Sequence, residues 1–374
     1  MKIIIIQIGD IYEFPPVLSL IHALEELKED TVVISTIPSG DYSADFHNTV
    51  FDIIPHNYEA ITSPAKKLGL LPKMHNELWN KIDQYYDNDS LLWVVTDVTL
   101  KYLGKQLLTR NYILHLLELS QELLLYKHID VLKYDAEKYS NSAKAVVVPE
   151  YNRAHITKAW WKLGKMPFIL PNKPYLSESV HKNEVIEDKV AAEVINRIGD
   201  KKIILYQGIL NNERPLEPFI HAVDELGDGF AFVIMSKGDN IYSNIESSNY
   251  FYIPYIRPPK HLQVTSHAYI GVLSYVPTYN SGYSPLNSLY CAPNKTFEFS
   301  KFGIPMIGND IPGLRYLLGT EKIGECYSSF ESKEIVKAIE KIQSNYNYYS
   351  SNSSKYYLSC DYRQLLKDIL DKIE

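Results

Sequence analysis

The chain has 374 residues, of which 45% are hydrophobic and 22% charged, and a formal net charge of -7. This is the composition of a soluble globular protein, too long for one core of ordinary size, so two domains are expected. The negative balance argues against attraction of the whole protein to nucleic acid. The three cysteines, Cys291, Cys326 and Cys360, lie far apart without CxxC spacing, which excludes a sequence-encoded disulfide framework or zinc site and suits a reducing compartment.

The chain opens on "MKIIIIQIGD". Gln7 breaks the apolar run and no small-residue cleavage site follows, so the expectation is a first strand, not a secretion leader. No apolar run reaches the roughly 18 residues that a spanning helix needs, and a cytoplasmic location is expected. Short β-branched runs continue at 31–37, 91–95, 112–116 and 145–148, then at 202–206, 231–235, 251–255, 269–273 and 305–307. Continuous rather than alternating apolar strands suit a parallel sheet covered on both faces. Helical periods lie between them, as at 16–27 and 216–226. Strand and helix alternating twice over predicts an α/β protein of two Rossmann-like, doubly wound domains, and pairs of such domains face each other across a central cleft in several enzyme classes.

The polar run "KPYLSESVHKNEVIEDKVAAEV" marks the seam. Residues 1–172 are expected to form the first domain, 173–194 the linker and 195–359 the second domain. Residues 360–374 then form a helix returning to the first. The segment 343–359, rich in Tyr, Ser and Asn, is expected to connect a helix capped by Ser328-x-x-Glu331 to that last helix.

Ligands of such sheets bind beyond the carboxyl ends of the strands, so chemistry is sought there. In "QIGDIYEFPP" Gly9 lets the backbone approach a ligand, although the dinucleotide fingerprint GxGxxG is absent. "LYQGILNNERPLEPFIHAV" repeats the arrangement. Gly208 ends the strand, and Arg214 at the mouth of the next helix suits a diphosphate. In "APNKTFEFSKFGIPMIGNDIPGLRYLL" Asn294 is expected to cap a helix whose free N–H groups hold phosphate oxygens. Lys295 in the first turn opposes the helix dipole unless an anion binds there. Glu298, one turn on, suits the two hydroxyls of a ribose. A plain amphipathic helix explains Phe297, Phe299 and Phe302, but not Lys295 and Glu298.

Other features are plainer. Asp87-Asn88-Asp89 satisfies a DxD pattern, but in "YYDNDS" it marks a turn. No HExxH or GxSxG motif occurs. "SPAKKLGLLPKMHNELWNKI" mixes Lys66, Lys67, Lys73 and Lys81 with Leu and Trp. It fits a solvated helix, or contact with an anionic membrane surface or a lipid-diphosphate acceptor.

The stretch "PNKTFEFSKFGIPMIGNDIPGLRYLL" resembles the donor-nucleotide motif of GT-B glycosyltransferases, particularly retaining family 4 and its capsule and O-antigen branches. "YQGILNNERPLEPFIHA", "VIMSKGDN", "AVVVPEYNRAHITKAW" and "FILPNKPY" are similar to further segments of that family. The resemblance covers most of the chain and is specific mainly between 200 and 318. It implies that Glu298 binds the ribose, that Arg214 contacts the diphosphate and that Gly9 forms the first domain's glycine turn at the donor phosphates. "YILHLLEL" is similar to the strand whose histidine faces the sugar, which points to His115 with Glu118 nearby. The base contact is expected from backbone near Tyr255 and Ile256.

The chain departs from the family pattern at two places. Tyr290 stands at the position of the upstream glutamate, and Ile209 at that of the first basic residue. Asn287 or Ser288 is expected to supply the missing sugar contact. The resemblance implies a nucleotide-sugar donor, UDP-linked, used without cofactor or metal. The acceptor would be a bacterial surface glycan or its lipid-linked form, reached with retention and with peripheral contact at the inner membrane surface. Two alternatives stay open: a catalytically silent GT-B partner of an active enzyme, and a sugar-nucleotide epimerase of the same fold.

Overall fold

The computed structural model describes residues 1–373 except 12–13, 37–45, 56–60, 62, 125–132, 176–179, 212 and 279–282. The expected strand end at Ile37 and part of the expected linker lie outside the described residues. The chain divides into two units. One comprises Met1–Tyr175, Ser281–Asn287 and Asp361–Glu374, the other Leu176–Asn280 and Ser288–Cys360.

The first unit carries strands β1 (Lys2–Gln7), β2 (Asp30–Thr36), β3 (Thr49–Ile54), β4 (Ser90–Val95), β5 (Tyr112–His115), β6 (Leu123–Leu124), β7 (Lys133–Tyr134), β8 (Ala145–Val148) and β9 (Phe168–Ile169). Seven of them form a sheet in the order β3-β2-β1-β4-β5-β8-β9, while β6 and β7 pair separately. Every neighbouring pair of the large sheet is parallel. Ile4 and Ile6 enter a core on one face with Val32 and Leu92; Ile3 and Ile5 enter a core on the other with Val17, Leu20 and Trp93. Burial on both faces is why four isoleucines run together without polar alternation. The helix Tyr362–Ile373 lays Leu366, Ile369 and Leu370 on this second core beside helix Pro15–Leu27, and the Tyr362 hydroxyl donates to the Pro16 carbonyl at 3.4 Å. Asp87-Asn88-Asp89 is a turn at the amino end of β4, where Asp87 accepts from the Asp89 N–H at 3.1 Å.

The second unit carries β10 (Lys202–Gln207), β11 (Phe230–Ser236), β12 (Tyr250–Pro254), β13 (Ile270–Leu273), β14 (Met306–Asn309) and β15 (Gly324–Tyr327). They form one sheet in the order β12-β11-β10-β13-β14-β15, again parallel throughout. Among the described residues no helix is long and apolar enough to cross a membrane.

Three expectations require correction. Residues 189–194 are not linker but the start of helix Lys189–Ile198, capped by Asp188 and buried through Ala191, Val194 and Ile198. The segment 343–359 is not a connection: helix Ser332–Ser344 is followed directly by helix Tyr346–Ser359. Tertiary packing overrides the weak helix propensity of its Tyr, Ser and Asn residues. Tyr346 stacks on Tyr269 with ring centroids 4.2 Å apart, and Ser353 donates to the Ile304 carbonyl at 2.9 Å. The Ser328 capping box also fails. The helix starts at Ser332, and the Ser328 hydroxyl donates instead to Glu334 at 2.8 Å.

Truncating Ile369 to alanine leaves a hole in the first unit's core where little can collapse. Urea denaturation of Ile369→Ala should show a loss of about 2–5 kcal/mol. An unchanged midpoint would mean that the C-terminal helix does not pack there.

Candidate functional site

In each sheet the first strand is the third from one edge, and the chain winds outward in both directions from it. β1 lies between β2 and β4, and β10 between β11 and β13. Loops leaving the carboxyl ends diverge at such a reversal and open a crevice. Gly9 follows β1 with φ 109°, and Gly208 follows β10 with φ 134°, conformations that favour glycine.

At the second unit's reversal the side chains converge. Helix Lys295–Lys301 is seated by Phe299, whose ring lies only 2.4 Å from where a β-carbon on Gly271 of β13 would be. That close approach carries Lys295 and Glu298, three residues apart and so on one helical face, toward the end of β10. The Lys295 amine lies 2.9 Å from the place of a Gly208 β-carbon and 4.4 Å from the centroid of the Tyr206 ring. The Arg214 guanidinium sits 4.0 Å over Tyr275, the residue that follows Ser274 at the end of β13. Arg214 also donates to the Glu213 carbonyl at 3.0 Å, and the Glu213 carboxylate is fixed in turn by the Thr278 hydroxyl at 2.9 Å. Burial, reinforced by the Arg214 charge, presses Lys295 down to about 7 despite the opposing effect of Glu298 and Cys291.

Glu298 is 8% exposed. Gln207, the last residue of β10, donates its amide N–H to one carboxylate oxygen, and His261 lies 3.3 Å from the other. The Thr265 hydroxyl donates to the Gln207 amide oxygen at 2.6 Å, which sets the amide's orientation. Burial alone would raise the Glu298 carboxyl. The charge and hydrogen bond of His261, the Gln207 bond and the Lys295 charge outweigh it and hold the carboxyl below its ordinary range. Each carboxylate oxygen retains acceptor capacity for a ligand hydroxyl.

The expected cap at Asn294 does not form. Its φ and ψ of -54° and -39° are already helical, and its side chain makes no capping bond. The N–H groups of Thr296 and Phe297 are taken by the carbonyls of Pro293 at 3.2 Å and Asn294 at 3.0 Å. Any anion here is held chiefly by side chains. Tyr255 and Ile256 follow β12, two strands from β10; the Tyr255 ring is exposed and Ile256 is in the core.

Three expected residues belong to the first unit. The Gly9 N–H donates to Thr36 at 2.8 Å, and the Gly9 carbonyl accepts from Ser35 at 2.8 Å. His115 ends β5 and is 1% exposed. Trp93 donates to its Nδ1 at 3.2 Å, which leaves the ring proton on Nε2, a buried atom without a partner among the described residues. Burial holds the imidazole neutral down to about 3. Asn287 is occupied within this unit. Its amide oxygen accepts from the Leu119 N–H at 2.8 Å, its amide nitrogen donates to Glu118 at 2.7 Å, and buried Arg153 donates to its carbonyl at 3.0 Å. Ser288, the other residue expected at the sugar, is buried at 8% exposure.

The structure thus brings Gly208, Arg214, Lys295 and Glu298 together, and places Gly9, His115 and Asn287 in the other unit. Sequence reasoning missed Gln207, His261, Thr265 and Tyr275. Only Gln207, as the strand's last residue before Gly208, carried any local signal. Among the described residues no group of three or more His, Cys, Asp and Glu is placed to hold a metal.

No family model matches the chain, and no curated protein matches it in sequence. Solved structures match along its whole length. The N-terminal domain of Candida albicans trehalose-6-phosphate phosphatase shares 13% identity, covering 99% of this chain and 97% of its own, with a TM-score of 0.70. The trehalose-6-phosphate protein of E. coli, bound with UDP-2-fluoro glucose, shares 7% identity over 100% and 99%, at 0.69. Anabaena HepE, in complex with UDP and glucose, shares 12% over 100% and 99%, at 0.67. At such identities the likeness is one of fold: the chain has the GT-B fold, built from two Rossmann-like doubly wound domains.

His115 gives a pH test. The unfolded chain takes up a proton there near pH 6.5 and the folded one does not until about 3, so stability falls as pH drops through that window. His115→Gln should remove up to about 1.4 kcal/mol per pH unit of that slope between pH 6 and 4. Urea midpoints of the two proteins across this range measure it; parallel slopes would contradict the buried neutral ring.

Proposed function

We propose that the chain is a glycosyltransferase whose second unit binds a nucleotide sugar, UDP-linked, and passes the sugar to a glycan or lipid-linked glycan acceptor. The observation that carries this reading is the pair of basic side chains, Arg214 and Lys295, laid on Tyr275 and Tyr206 beside the bare turn at Gly208, one helical turn from the ionised Glu298. Two basic groups on aromatic faces at a strand reversal fit a diphosphate, and a carboxylate next to them fits a ribose diol. The UDP complexes of fold neighbours support the same ligand class.

The slow event in such a transfer is departure of the nucleoside diphosphate. Negative charge grows on the leaving oxygen as its bond to the sugar breaks. Arg214 and Lys295 would stabilise that charge more than the charge of the ground state, which is what accelerates a reaction. Glu298 binds the ribose and is not a base. In the first unit His115, whose Nε2–H finds no acceptor among the described residues, would orient a sugar hydroxyl. The absence of a metal requirement, retention of configuration and a role in bacterial surface polysaccharide synthesis complete the proposal and rest on the sequence resemblance. Exposed Lys66, Lys73 and Leu68 on helix Pro64–Tyr85 support peripheral contact with an anionic membrane surface. The rival reading is a silent partner protein. It draws on Ile209, which stands 69% exposed where the family pattern has a basic residue.

Calorimetric titration with UDP, GDP and their sugars, without added metal, tests the proposal. Arg214→Ala should weaken UDP by about 10- to 100-fold, the loss of a charged hydrogen bond. Glu298→Gln should make affinity indifferent to removal of the ribose hydroxyls from the ligand. Unchanged UDP affinity in Arg214→Ala, or no binding of any nucleotide by the native protein, would contradict the assignment.

A further inference from the structure

Lys295 is the cation of the site without a carboxylate of its own. Arg214 has Glu213 at 3.4 Å, whereas among the described residues no carboxylate lies within ion-pair distance of the Lys295 nitrogen. Its amine rests instead on Tyr206 at 4.4 Å and near Tyr275 at 5.6 Å, over the backbone of Gly208. The titratable and charged groups facing it come from each element packed around it. Tyr206 comes from β10, Glu213 and Arg214 from the segment after it, and Tyr275 from beyond β13. Cys291 precedes the helix, and Glu298 lies on the helix itself with His261 behind it. Burial pushes the Tyr206 phenol up, so it stays neutral, and Glu298 stays ionised.

We infer that binding of a nucleotide sugar at this site is coupled to the uptake of one proton by the Lys295 amine, so that donor affinity is set by pH near neutrality. The inference rests on the donor-site reading above. In the empty site the half-buried ammonium lies beside the Arg214 guanidinium with no carboxylate at ion-pair distance among the described residues; burial and that like charge outweigh the opposing effect of Glu298 and Cys291, and the amine loses its proton near neutral pH. A diphosphate seated between Arg214 and Lys295 supplies the counter-charge and restores the cation. The proton comes from solvent on binding. It is held while the leaving diphosphate gains charge, and it returns to solvent when the product departs, so the cycle is balanced.

Below the free amine's value of about 7 the site is already cationic and binding takes up little. Above it, affinity falls by up to about tenfold per pH unit until the value in the complex is reached. In turnover, kcat/KM for the donor reports the free protein and should decline above neutrality, while kcat, which reports the loaded state, stays level.

The test uses UDP-glucose and GDP-mannose, whose phosphates are fully esterified and carry no proton near neutrality. Titration calorimetry at pH 8 in HEPES and in Tris, buffers of different ionisation enthalpy, yields the protons taken up per ligand. The expected value is between about one half and one for the native protein. In Lys295→Met uptake should vanish and the weaker binding should lose its pH dependence. Lys295→Arg, permanently charged, should bind without uptake. Binding by the native protein with no uptake, or uptake unchanged in Lys295→Met, overturns the inference and leaves the donor site standing. Failure of both ligands to bind overturns the donor site and the inference together.

Discussion

A glycine at position 271 leaves the backbone of β13 bare, and the Phe299 ring occupies the space a side chain would need. The candidate site depends on that contact. It draws helix Lys295–Lys301 against the sheet, so that Lys295 meets the Gly208 turn and Glu298 meets Gln207 at the end of β10. The opposite side of the same helix is held by helix Tyr346–Ser359. Tyr356 stacks on Phe297 at 5.2 Å, and Ser353 bonds to Ser300 at 3.1 Å. Small serines there allow the approach: a β-carbon on Gly303 would stand 2.5 Å from the Ser354 hydroxyl. Packing between backbone and ring, and between serine and glycine, therefore sets the position of two charged groups to within the reach of a hydrogen bond.

Each unit keeps polar groups in a condition that folding alone does not favour. In the second, two basic side chains lie on aromatic faces near the end of β10, and among the described residues only Arg214 has an ion-pair partner of its own. In the first, the Nε2 proton of His115 is buried without an acceptor among the described residues, a state that costs about 1–3 kcal/mol. Local conflicts of this kind concentrate where a ligand completes the structure. Buried Arg153 and Asn287 are the contrast. Every polar end of Asn287 is met from within its own unit, and it serves architecture.

The doubly wound plan was legible because strands buried on both faces are written as unbroken β-branched runs, and each of those runs is a strand. What escaped has physical reasons. β3 is an edge strand with a mixed pattern that leaves Val50 half exposed. β15 reads "GECY" because a β-carbon at Gly324 would lie 1.8 Å from the Met306 carbonyl oxygen, so a strand was written without strand residues. Helix Tyr346–Ser359 owes its existence to stacking and serine contacts that no local window contains. The site divides in the same way. Gly208, Arg214, Lys295 and Glu298 sit in motifs whose spacing expresses their geometry. Gln207 and Glu298 meet His261 and Thr265, which share one short helix, only through tertiary contacts, and the partners of the Asn287 side chain could not be read from its neighbours.

The central claim is that the second unit holds a nucleoside diphosphate at the end of β10. Its most direct test is a crystal of the protein grown with UDP. The account predicts electron density for the diphosphate within hydrogen-bond reach of both Arg214 and Lys295, with the ribose hydroxyls on Glu298. Well-occupied UDP elsewhere, with those three side chains unengaged, would contradict it.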